Sequence, residues 1–360
     1  MKILIYSPAF HPGVGGIETL VQTLAREFAR EGHEVKVVSL TPAASADDEE
    51  FPFEVVRGPG RLRLLRLVRW CEVYFQPNVS LRGLWPLAFA PRPWVVSHNN
   101  WYARPGGRLI WRDRLKHLLA RKATGISVSR AVAAHVAGAP SVVIPNAYRE
   151  DVFRLRPSVE RNVEMVFVGR LVSDKGADLL LDALAQLKTR GLAPRLTIVG
   201  GGPEQEALRR QAEELGVADR VRFAGVRRGE ELAQLLNAHR VMVVPSRWDE
   251  PFGIVALEGI ACGCAVVGSE GGGLPDAIGP CGVTFPNNDA AALARALDDL
   301  LTNDAKLASL RAGADAHLAR HRPREVARAY LKVFEQALRG GSRKRVERRM
   351  SVPPAASGRH

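Results

Sequence analysis

Two glutamates that flank a Phe-Gly turn form the strongest chemical signal in the sequence. Glu250 and Glu258 lie on either side of Phe252-Gly253-Ile254, which follows an apolar run and opens a predicted helix. Free N–H groups at a helix start bind anions, and Gly253 lets a ligand approach the backbone closely. A carboxylate one turn into the helix can accept hydrogen bonds from the paired hydroxyls of a ribose, and Glu250 can do the same for a sugar. Solvated surface charges are the alternative interpretation.

Two cations follow the first predicted strand of the second half, in the segment Gly169-Arg170 to Lys175-Gly176. Arg170 can grip a phosphate with two hydrogen bonds, and Lys175 acts as a point charge. Two cations can neutralise a leaving diphosphate without Mg²⁺, so we expect neither a metal nor a cofactor. The alternative is an ordinary strand–helix loop with solvated charges.

Two glycine-rich loops and one histidine add weaker signals. Gly15 and Gly16 enter the first helix and can cradle phosphate, although the third glycine of the dinucleotide fingerprint is missing and a mere tight turn is equally compatible. Gly201 and Pro203 belong to a loop that allows close approach of a flat or charged ligand. His98 ends an apolar strand and can hydrogen-bond a hydroxyl or a phosphate. Taken alone, His98 is better explained as structural, and its position among the other loops reverses that preference.

Apolar strands alternate with amphipathic helices, which predicts parallel sheets covered by helices on both faces. The predicted strands are residues 2–6, 35–40, 54–56, 73–75, 94–97, 125–127 and 142–144, then 165–168, 195–199, 221–224, 241–244 and 265–268. We therefore predict an α/β protein with two tandem Rossmann-like, doubly wound domains and a ligand cleft between them at the carboxyl ends of the strands.

The domain boundaries follow from the restart of this pattern after a Pro-containing linker at residues 145–161. We predict an N-terminal domain over 1–155, a C-terminal domain over 156–322 and a helix over 323–339 that crosses back to the first domain. The basic, polar tail 340–360 is predicted to be disordered.

The charge distribution points to a polyanionic partner for one region only. The net charge is +13, and residues 57–130 alone contain 15 Lys or Arg against two Asp or Glu. A membrane, a nucleic acid or an acidic substrate would suit such a surface.

The four cysteines fit no zinc or disulfide pattern, and the sequence has neither a signal-peptide core nor a run of about 20 apolar residues. We expect a cytoplasmic protein with reduced thiols.

Taken together, the motifs resemble the family 4 glycosyltransferases of the GT-B fold. The resemblance extends from residue 1 to about 338 and is most specific at the E-x7-E segment and at Gly169-Arg-Leu-x-x-x-Lys175-Gly. It implies a retaining, metal-independent hexosyltransferase. The product would belong to cell-envelope polysaccharide or glycolipid synthesis.

The resemblance also implies the roles of individual residues. The nucleotide-sugar donor would bind the second domain, with the ribose on Glu258, the diphosphate on Arg170 and Lys175, and the sugar on Glu250. The implied catalytic residues are His98, Arg170, Lys175 and Glu250, and the implied donor-binding residues are Gly15, Gly16, Gly169, Gly201, Pro203, Phe252, Gly253, Ile254 and Glu258. The chain departs from the family where Asn146-Ala-Tyr-Arg149 replaces Asn-Gly-Val-Asp.

The basic segments suggest a membrane-facing surface on the first domain. Arginines alternate with Leu, Val and Trp in residues 61–70 and 108–122, a pattern typical of a helix lying in a lipid interface. The predicted membrane or acceptor surface contains Arg66, Arg69, Trp111, Arg112, Lys116, Arg121 and Lys122. The alternative is that the leucines pack on the domain's own sheet.

Three other functions were weighed. A nucleotide-sugar epimerase could use the same fold and remains the main alternative. A nucleic-acid-binding protein would need aromatic stacking residues among the arginines, which are mixed with Leu, Trp and Val instead, so no nucleic-acid partner is expected. A nicotinamide dehydrogenase is disfavoured by the glycine spacing and by the lack of a well-placed acidic residue.

Overall fold

The computed structural model describes residues 1–13, 15–43, 51–102, 110–136 and 141–350, with the backbone alone for 341–350. The chain divides into two compact units. The first unit comprises Met1–Ser127, Ala133–Ile144 and the chain from Ala327 onward, and the second comprises Val128–Val132 and Pro145–Val326.

The first unit is built on a sheet of seven described strands, all parallel, in the order β3-β2-β1-β4-β5-β6-β7. Its elements are β1 (Lys2–Tyr6), α1 (Gly16–Arg30), β2 (Glu34–Ser39), β3 (Glu54–Arg57), α2 (Arg61–Trp70), β4 (Val73–Pro77), α3 (Leu81–Leu84), α4 (Pro86–Phe89), β5 (Trp94–His98), α5 (Trp111–Ala120), β6 (Thr124–Ser127), α6 (Arg130–His135) and β7 (Ser141–Val143). Residues 130–132 of α6 are assigned to the second unit.

The second unit repeats the plan with six described strands, again all parallel, in the order β10-β9-β8-β11-β12-β13. Its elements are β8 (Val163–Val168), α7 (Ala177–Thr189), β9 (Leu196–Val199), α8 (Gln205–Glu214), β10 (Val221–Gly225), α9 (Gly229–Asn237), β11 (His239–Val244), α10 (Ile254–Ala261), β12 (Ala265–Ser269), α11 (Leu274–Ile278), β13 (Gly282–Phe285), α12 (Ala290–Leu301), α13 (Asp304–Ala312) and α14 (Ala314–Ala319). The helix α15 (Pro323–Met350) starts here and belongs to the first unit from Ala327.

Burial on both faces explains why the strands are continuous apolar runs rather than alternating ones. Residues 3–6 of β1 and 241–244 of β11 are buried without interruption. Successive side chains of a strand still point to opposite faces, so each strand contributes to two cores. In β4, Tyr74 packs in the cluster that contains α2, whereas Phe75 packs against α15.

The helix α15 closes one face of the first sheet through a group of aromatic rings. The ring of Phe334 lies 5.4 Å from those of Phe28 and Phe75, and the ring of Tyr330 lies 5.7 Å from that of Phe75. The hydroxyl groups of Tyr330 and Ser97 form a buried hydrogen bond of 2.8 Å. Aromatic side chains bury large apolar areas, so this group anchors α15 to α1 and β4.

The prediction of two doubly wound parallel sheets is confirmed. The continuous part of the second unit begins at Pro145, whereas we predicted the boundary after residue 155. It also continues α15 to Met350, so residues 340–350 are helical where we predicted disorder. Arg, Lys and Glu have high helix propensity, which outweighs the polar composition there. Residues 351–360 lie outside the described residues.

The four cysteines are buried and free. Among the described residues, no helix is both long and apolar enough to cross a membrane.

Phe334→Ala should destabilise the first unit by about 3–5 kcal/mol, because it leaves a cavity among buried aromatic rings. Phe89→Ala is the matched control, since Phe89 is 68% exposed and its loss should change stability by about 0.5 kcal/mol or less. Thermal melts of both variants followed by circular dichroism measure the difference. Equal melting temperatures for the two variants would contradict the anchoring role of α15.

Candidate functional site

The strand order of the second sheet reverses between β8 and β11, where the loops that leave the two strands diverge. In open parallel sheets such a switch point, at the carboxyl ends of the strands, is where ligands bind. The two loops also touch each other where Gly176 meets Pro245. A Cβ atom on Gly176, which has a φ of +69°, would lie 2.0 Å from the Pro245 carbonyl oxygen, so only glycine fits.

Two of the predicted catalytic residues meet at this switch point. The Glu250 Oε1 atom accepts hydrogen bonds from the Lys175 Nζ atom at 2.5 Å and from the Ser246 Oγ atom at 2.8 Å. The side chains of Glu250 and Lys175 are only 15% and 23% exposed, so the pair is partly shielded from water. The structure therefore brings together a carboxylate and an ammonium group that lie 75 residues apart in sequence.

A second ion pair ties together three of the loops around this point. The Arg247 guanidinium binds both oxygens of Asp178 at 2.6 and 2.8 Å, and its Nε donates to Asn288 at 3.0 Å. The Arg247 backbone N–H donates to the Asp174 carbonyl oxygen. Ser246 and Arg247 were not among the predicted site residues, although a polar pair one residue after a buried strand at a switch point was a usable signal.

The glycines of the β9–α8 loop allow close packing against the loop that follows β8. A Cβ on Gly200, whose φ is +143°, would lie 1.8 Å from the Gly169 carbonyl oxygen. The Leu171 N–H donates to the Gly201 carbonyl oxygen at 3.0 Å. The need for glycine at position 200 thus comes from a neighbouring loop rather than from a ligand. Arg170 and Pro203 are exposed on these two loops.

The Phe-Gly turn is held by packing on both sides. Gly253 has a φ of +104°, and a Cβ there would lie 2.6 Å from Leu274. The Phe252 side chain is only 2% exposed, and its ring lies 5.7 Å from that of His321. Phe252 therefore anchors the turn, and its amide is the part that remains to meet a ligand. Ile254 is the first residue of α10.

Glu258 lies one turn into α10 in a dense environment. Burial raises the pKa of its carboxyl group from 4.5 to about 7, and the positive charge of Arg149 offsets only part of this effect. Desolvation disfavours the ionised form of an acid, so near neutral pH the carboxyl group of the unliganded protein is partly protonated. Hydroxyl groups of a bound sugar would supply the hydrogen bonds that stabilise its ionised form.

The first glycine-rich loop is a weaker phosphate site than the sequence predicts. Gly15 has an extended backbone with a φ of −174°, which any residue can adopt, and Gly16 starts α1 on the surface. The carboxylate of Glu18 lies beside the loop, 2.5 Å from the position that a Cβ on Gly15 would take. Its negative charge opposes a phosphate at this helix start.

His98 is completely buried in the first unit, not exposed at a loop tip. Its Nδ1 atom lies 3.0 Å from the Tyr102 hydroxyl, and its Nε2 atom has no partner among the described residues. Burial lowers the pKa of His98 to about 4, with a smaller contribution from His117, so the ring is neutral at pH 7. The Tyr102 hydroxyl also accepts the Val79 N–H at 3.0 Å and lies 3.5 Å from the Asn78 Oδ1 atom.

The predicted basic surface lies on helices that cover one face of the first sheet. The core clusters under α2 and α5 share Trp94, which places both helices on the same side. Arg66 and Arg69 are exposed on α2, whose Leu64, Leu67 and Val68 pack on the sheet. Leu64 and Leu67 of α2 thus follow the alternative interpretation, whereas Leu62 is 72% exposed.

The helix α5 presents a mixed surface. Arg112 is exposed on it and Lys116 is half-buried, while Arg121 and Lys122 are exposed just beyond its end. Trp111 and Leu118 are 66% and 55% exposed.

Comparisons with known proteins agree with this architecture. The family model described as "Glycosyltransferase Family 4" matches residues 14–151, and the model "Glycosyl transferases group 1" matches residues 149–317. The structure of Anabaena Alr3699/HepE in complex with UDP superposes with a TM-score of 0.78 at 22% identity, over 93% of this chain and 100% of that one.

Two curated relatives are similar in sequence. A GDP-mannose-dependent alpha-(1-6)-phosphatidylinositol monomannoside mannosyltransferase of Mycolicibacterium smegmatis is 30% identical over 86% of this chain and 91% of its own length. A D-inositol 3-phosphate glycosyltransferase of Stackebrandtia nassauensis is 42% identical, over 43% of this chain and only 37% of the relative.

Two doubly wound parallel sheets with this loop chemistry define a protein of the GT-B fold class. The full-length match to the mannosyltransferase, together with the two family models, settles the family. The chain belongs to the family 4 glycosyltransferases.

Glu258→Gln should stabilise the unliganded protein at pH 8 and have little effect at pH 5. The folded protein holds the Glu258 proton more tightly than the unfolded chain does, so the wild-type residue lowers stability as pH rises from 4.5 to about 7. Above that pH the cost of the buried charge is constant, on the order of 3 kcal/mol. Melting temperatures of wild type and variant at both pH values measure the effect.

Glu214→Gln, on the exposed end of α8, is the control and should shift the melting temperature little at either pH. A Glu258→Gln difference that is the same at pH 5 and pH 8 would show that the carboxyl group is not desolvated.

Proposed function

We propose that the protein transfers a hexose from a nucleoside-diphosphate sugar to a glycan or lipid-linked acceptor, with retention of the anomeric configuration. The observation that carries this proposal is the pairing of Glu250 with Lys175 at the switch point of the second sheet. The M. smegmatis relative is named as a GDP-mannose-dependent alpha-(1-6)-phosphatidylinositol monomannoside mannosyltransferase, which supports a role in cell-envelope glycolipid or polysaccharide synthesis.

The donor would occupy the second unit. Glu258, in the middle of α10, would accept hydrogen bonds from the ribose hydroxyls. Arg170 is exposed on the loop after β8 and Lys175 ends a 3₁₀ turn in the same loop, so both can reach a diphosphate. Glu250 and the amides of Phe252 and Gly253 would hold the sugar, and Gly169, Gly201, Pro203 and Ile254 would line the same site.

Charge redistribution would drive the reaction. Before the sugar–phosphate bond breaks, Lys175 is neutralised by Glu250, and as negative charge grows on the leaving diphosphate the ammonium group gains a stronger partner. Glu250 is then free to stabilise positive charge on the sugar ring. We assign it this electrostatic role and no covalent one. Two cations would make a metal unnecessary.

The named relatives are both glycosyltransferases, which favours transfer over the epimerase alternative.

His98 belongs to the first unit, on which we place the acceptor. Because its ring is neutral at pH 7, it would form a hydrogen bond through Nε2 and would not act as a cation.

We also propose that the first unit docks on an anionic membrane, on the inner face of the cytoplasmic membrane. The three most exposed large apolar side chains among the described residues are Leu62, Phe89 and Trp111, at 72%, 68% and 66%. They lie on α2, α4 and α5, the helices that cover one face of the first sheet, and α2 and α5 also carry exposed arginines. Apolar side chains that insert among headgroups, surrounded by cations, are typical of interfacial binding.

Transfer is tested with UDP-, GDP- and ADP-sugars as donors. The assay measures the release of nucleoside diphosphate, and NMR determines the anomeric configuration of the product. Lys175→Ala should lower kcat by about 10²–10³ and weaken donor binding much less, because the charge that it stabilises develops mainly in the transition state. Lys188→Ala is the control, since Lys188 lies at the exposed end of α7 and contacts only the Gly216 carbonyl oxygen in the described structure.

Activity should persist in a chelator. Loss of activity that Mg²⁺ or Mn²⁺ restores would contradict the metal-independent mechanism, and an inverted product would contradict retention. Free donor whose sugar is epimerised at C2 or C4, without transfer, would favour the epimerase.

Membrane docking is tested by co-sedimentation with vesicles of phosphatidylcholine alone or mixed with an anionic lipid. Binding should require the anionic lipid and weaken with salt. Replacing Arg66, Arg69, Arg121 and Lys122 by Gln should weaken it at least about 10-fold, since each cation near such a surface contributes about 1 kcal/mol.

The control variant carries the same charge change on the second unit, with Arg210, Arg222, Arg227 and Arg228 replaced by Gln. An equal loss of binding in both variants would show that binding depends on the net charge of the protein alone, and would overturn the proposed surface.

A further inference from the structure

Two buried histidines lie behind the Phe-Gly turn on which we place the donor sugar. His317 belongs to α14 and His321 follows four residues later, and the two residues are 3% and 1% exposed. Their rings lie 4.9 Å apart, and the ring of His321 lies 5.7 Å from that of Phe252. Neither histidine takes part in the proposed donor chemistry.

His317 supports the helix that packs against the turn. Its Nδ1 atom accepts a hydrogen bond from the Arg320 guanidinium at 2.8 Å, so its proton lies on Nε2, which donates to the Ala277 carbonyl oxygen at 2.7 Å. Ala277 belongs to α11, whose Leu274 side chain lies against Gly253. The position of α11 therefore limits the backbone of the turn.

His321 connects the turn to the chain at residues 146–148 of the second unit. Its Nδ1 atom lies 3.0 Å from the Asn146 carbonyl oxygen, which can only accept, so this nitrogen carries the proton and donates. The His321 carbonyl oxygen accepts the Tyr148 N–H at 3.3 Å. Two hydrogen bonds thus fix the residue on this segment, while its ring contacts that of Phe252.

The ring of His321 is neutral at pH 7, because burial lowers its pKa to about 4. With the proton on Nδ1, the Nε2 atom keeps a lone pair, and this buried atom has no partner among the described residues. An unpaired buried nitrogen lowers stability. A phenylalanine would fill the same space without this cost, so packing alone does not account for a histidine here.

We propose that His321 is a positioning residue for the donor sugar. It holds the Phe252 ring against the chain at residues 146–148, and that ring sets the direction of the Phe252 and Gly253 amides. This role rests on the proposed function, in which these amides bind the sugar. We therefore expect His321 to affect the sugar and the turnover, and to have little effect on the nucleotide, whose ribose and diphosphate we place on other groups.

Two variants separate the contacts of His321. His321→Phe removes the hydrogen bond to Asn146 and keeps an aromatic ring beside Phe252. It should lower kcat of transfer from UDP-, GDP- or ADP-sugars about 10- to 100-fold, since small displacements of groups that position a substrate have effects of this size. The affinity for UDP, GDP or ADP should stay within about 2-fold by isothermal titration, because the lost interactions do not involve the nucleotide. His321→Asn keeps a donor for the Asn146 carbonyl oxygen, loses the ring and should show the same pattern.

Hydrogen–deuterium exchange of the full chain measures the turn without any substrate. Peptides that contain Phe252 and Gly253 should exchange at least about 10-fold faster in both variants, because the turn loses part of its support. Peptides from α7 should exchange at the wild-type rate. Either variant is sufficient if the other does not fold.

His239→Asn is the matched control. His239 is also a buried histidine of the second unit, 3% exposed, with hydrogen bonds to Leu235 and Thr197. It begins β11, at the end of the strand away from the donor loops. Its loss should lower the melting temperature and leave kcat and the exchange of the turn unchanged. A loss of activity equal to that of the His321 variants would show a general effect of destabilisation and overturn the proposed role.

The exchange rates keep this test independent of the transferase activity. If the wild-type protein transfers sugar, then unchanged exchange of the turn, or unchanged kcat, in the His321 variants overturns the role of His321 alone. If the wild-type protein transfers no sugar from any of the three kinds of donor, the proposed function fails. The exchange rates alone then decide whether His321 fixes the turn.

Discussion

Two parallel strands cannot be joined by a tight turn, and the structure of this protein depends on that constraint. Each connection must cross a face of the sheet as a helix, and where the direction of crossing reverses, the loops separate and leave space at the carboxyl ends of the strands. Both sheets contain one such reversal, between β1 and β4 and between β8 and β11. Lys175 and Glu250 stand at the second, Asn78 and Arg82 at the first.

The loops at the second reversal combine rigid packing with exposed chemistry. Gly176 and Gly200 let backbones touch where a side chain would collide, so neighbouring loops brace each other. This rigidity holds functional groups in states that cost stability. Glu258 carries a carboxyl group in a dense environment that raises its pKa to about 7. A neutral side chain at this position would make the protein more stable. Strain of this kind is expected at a binding site, where a ligand supplies the missing interactions.

Different sets of helices cover the two faces of the first sheet. One face is closed by α1 and by the aromatic residues of α15. The other carries α2, α4 and α5, where arginines surround exposed apolar side chains. The helix α5 serves two surfaces at once, since Arg112 and Lys116 line a pocket beside the ends of β1 and β4 while Leu118 is exposed to solvent.

Local patterns in the sequence determined the two parallel sheets, the positions of their loops and the E-x7-E motif, because periodicity and turn chemistry depend on residues close together in the chain. Only the tertiary structure decided what surrounds each group. It paired Lys175 with Glu250, buried His98 completely, placed Glu18 beside Gly15 and assigned the need for glycine at position 200 to a neighbouring loop. It also placed Arg82 and Arg112 on two walls of one pocket. Burial, desolvation and hydrogen bonding arise from contacts between residues far apart in sequence, which no local pattern records.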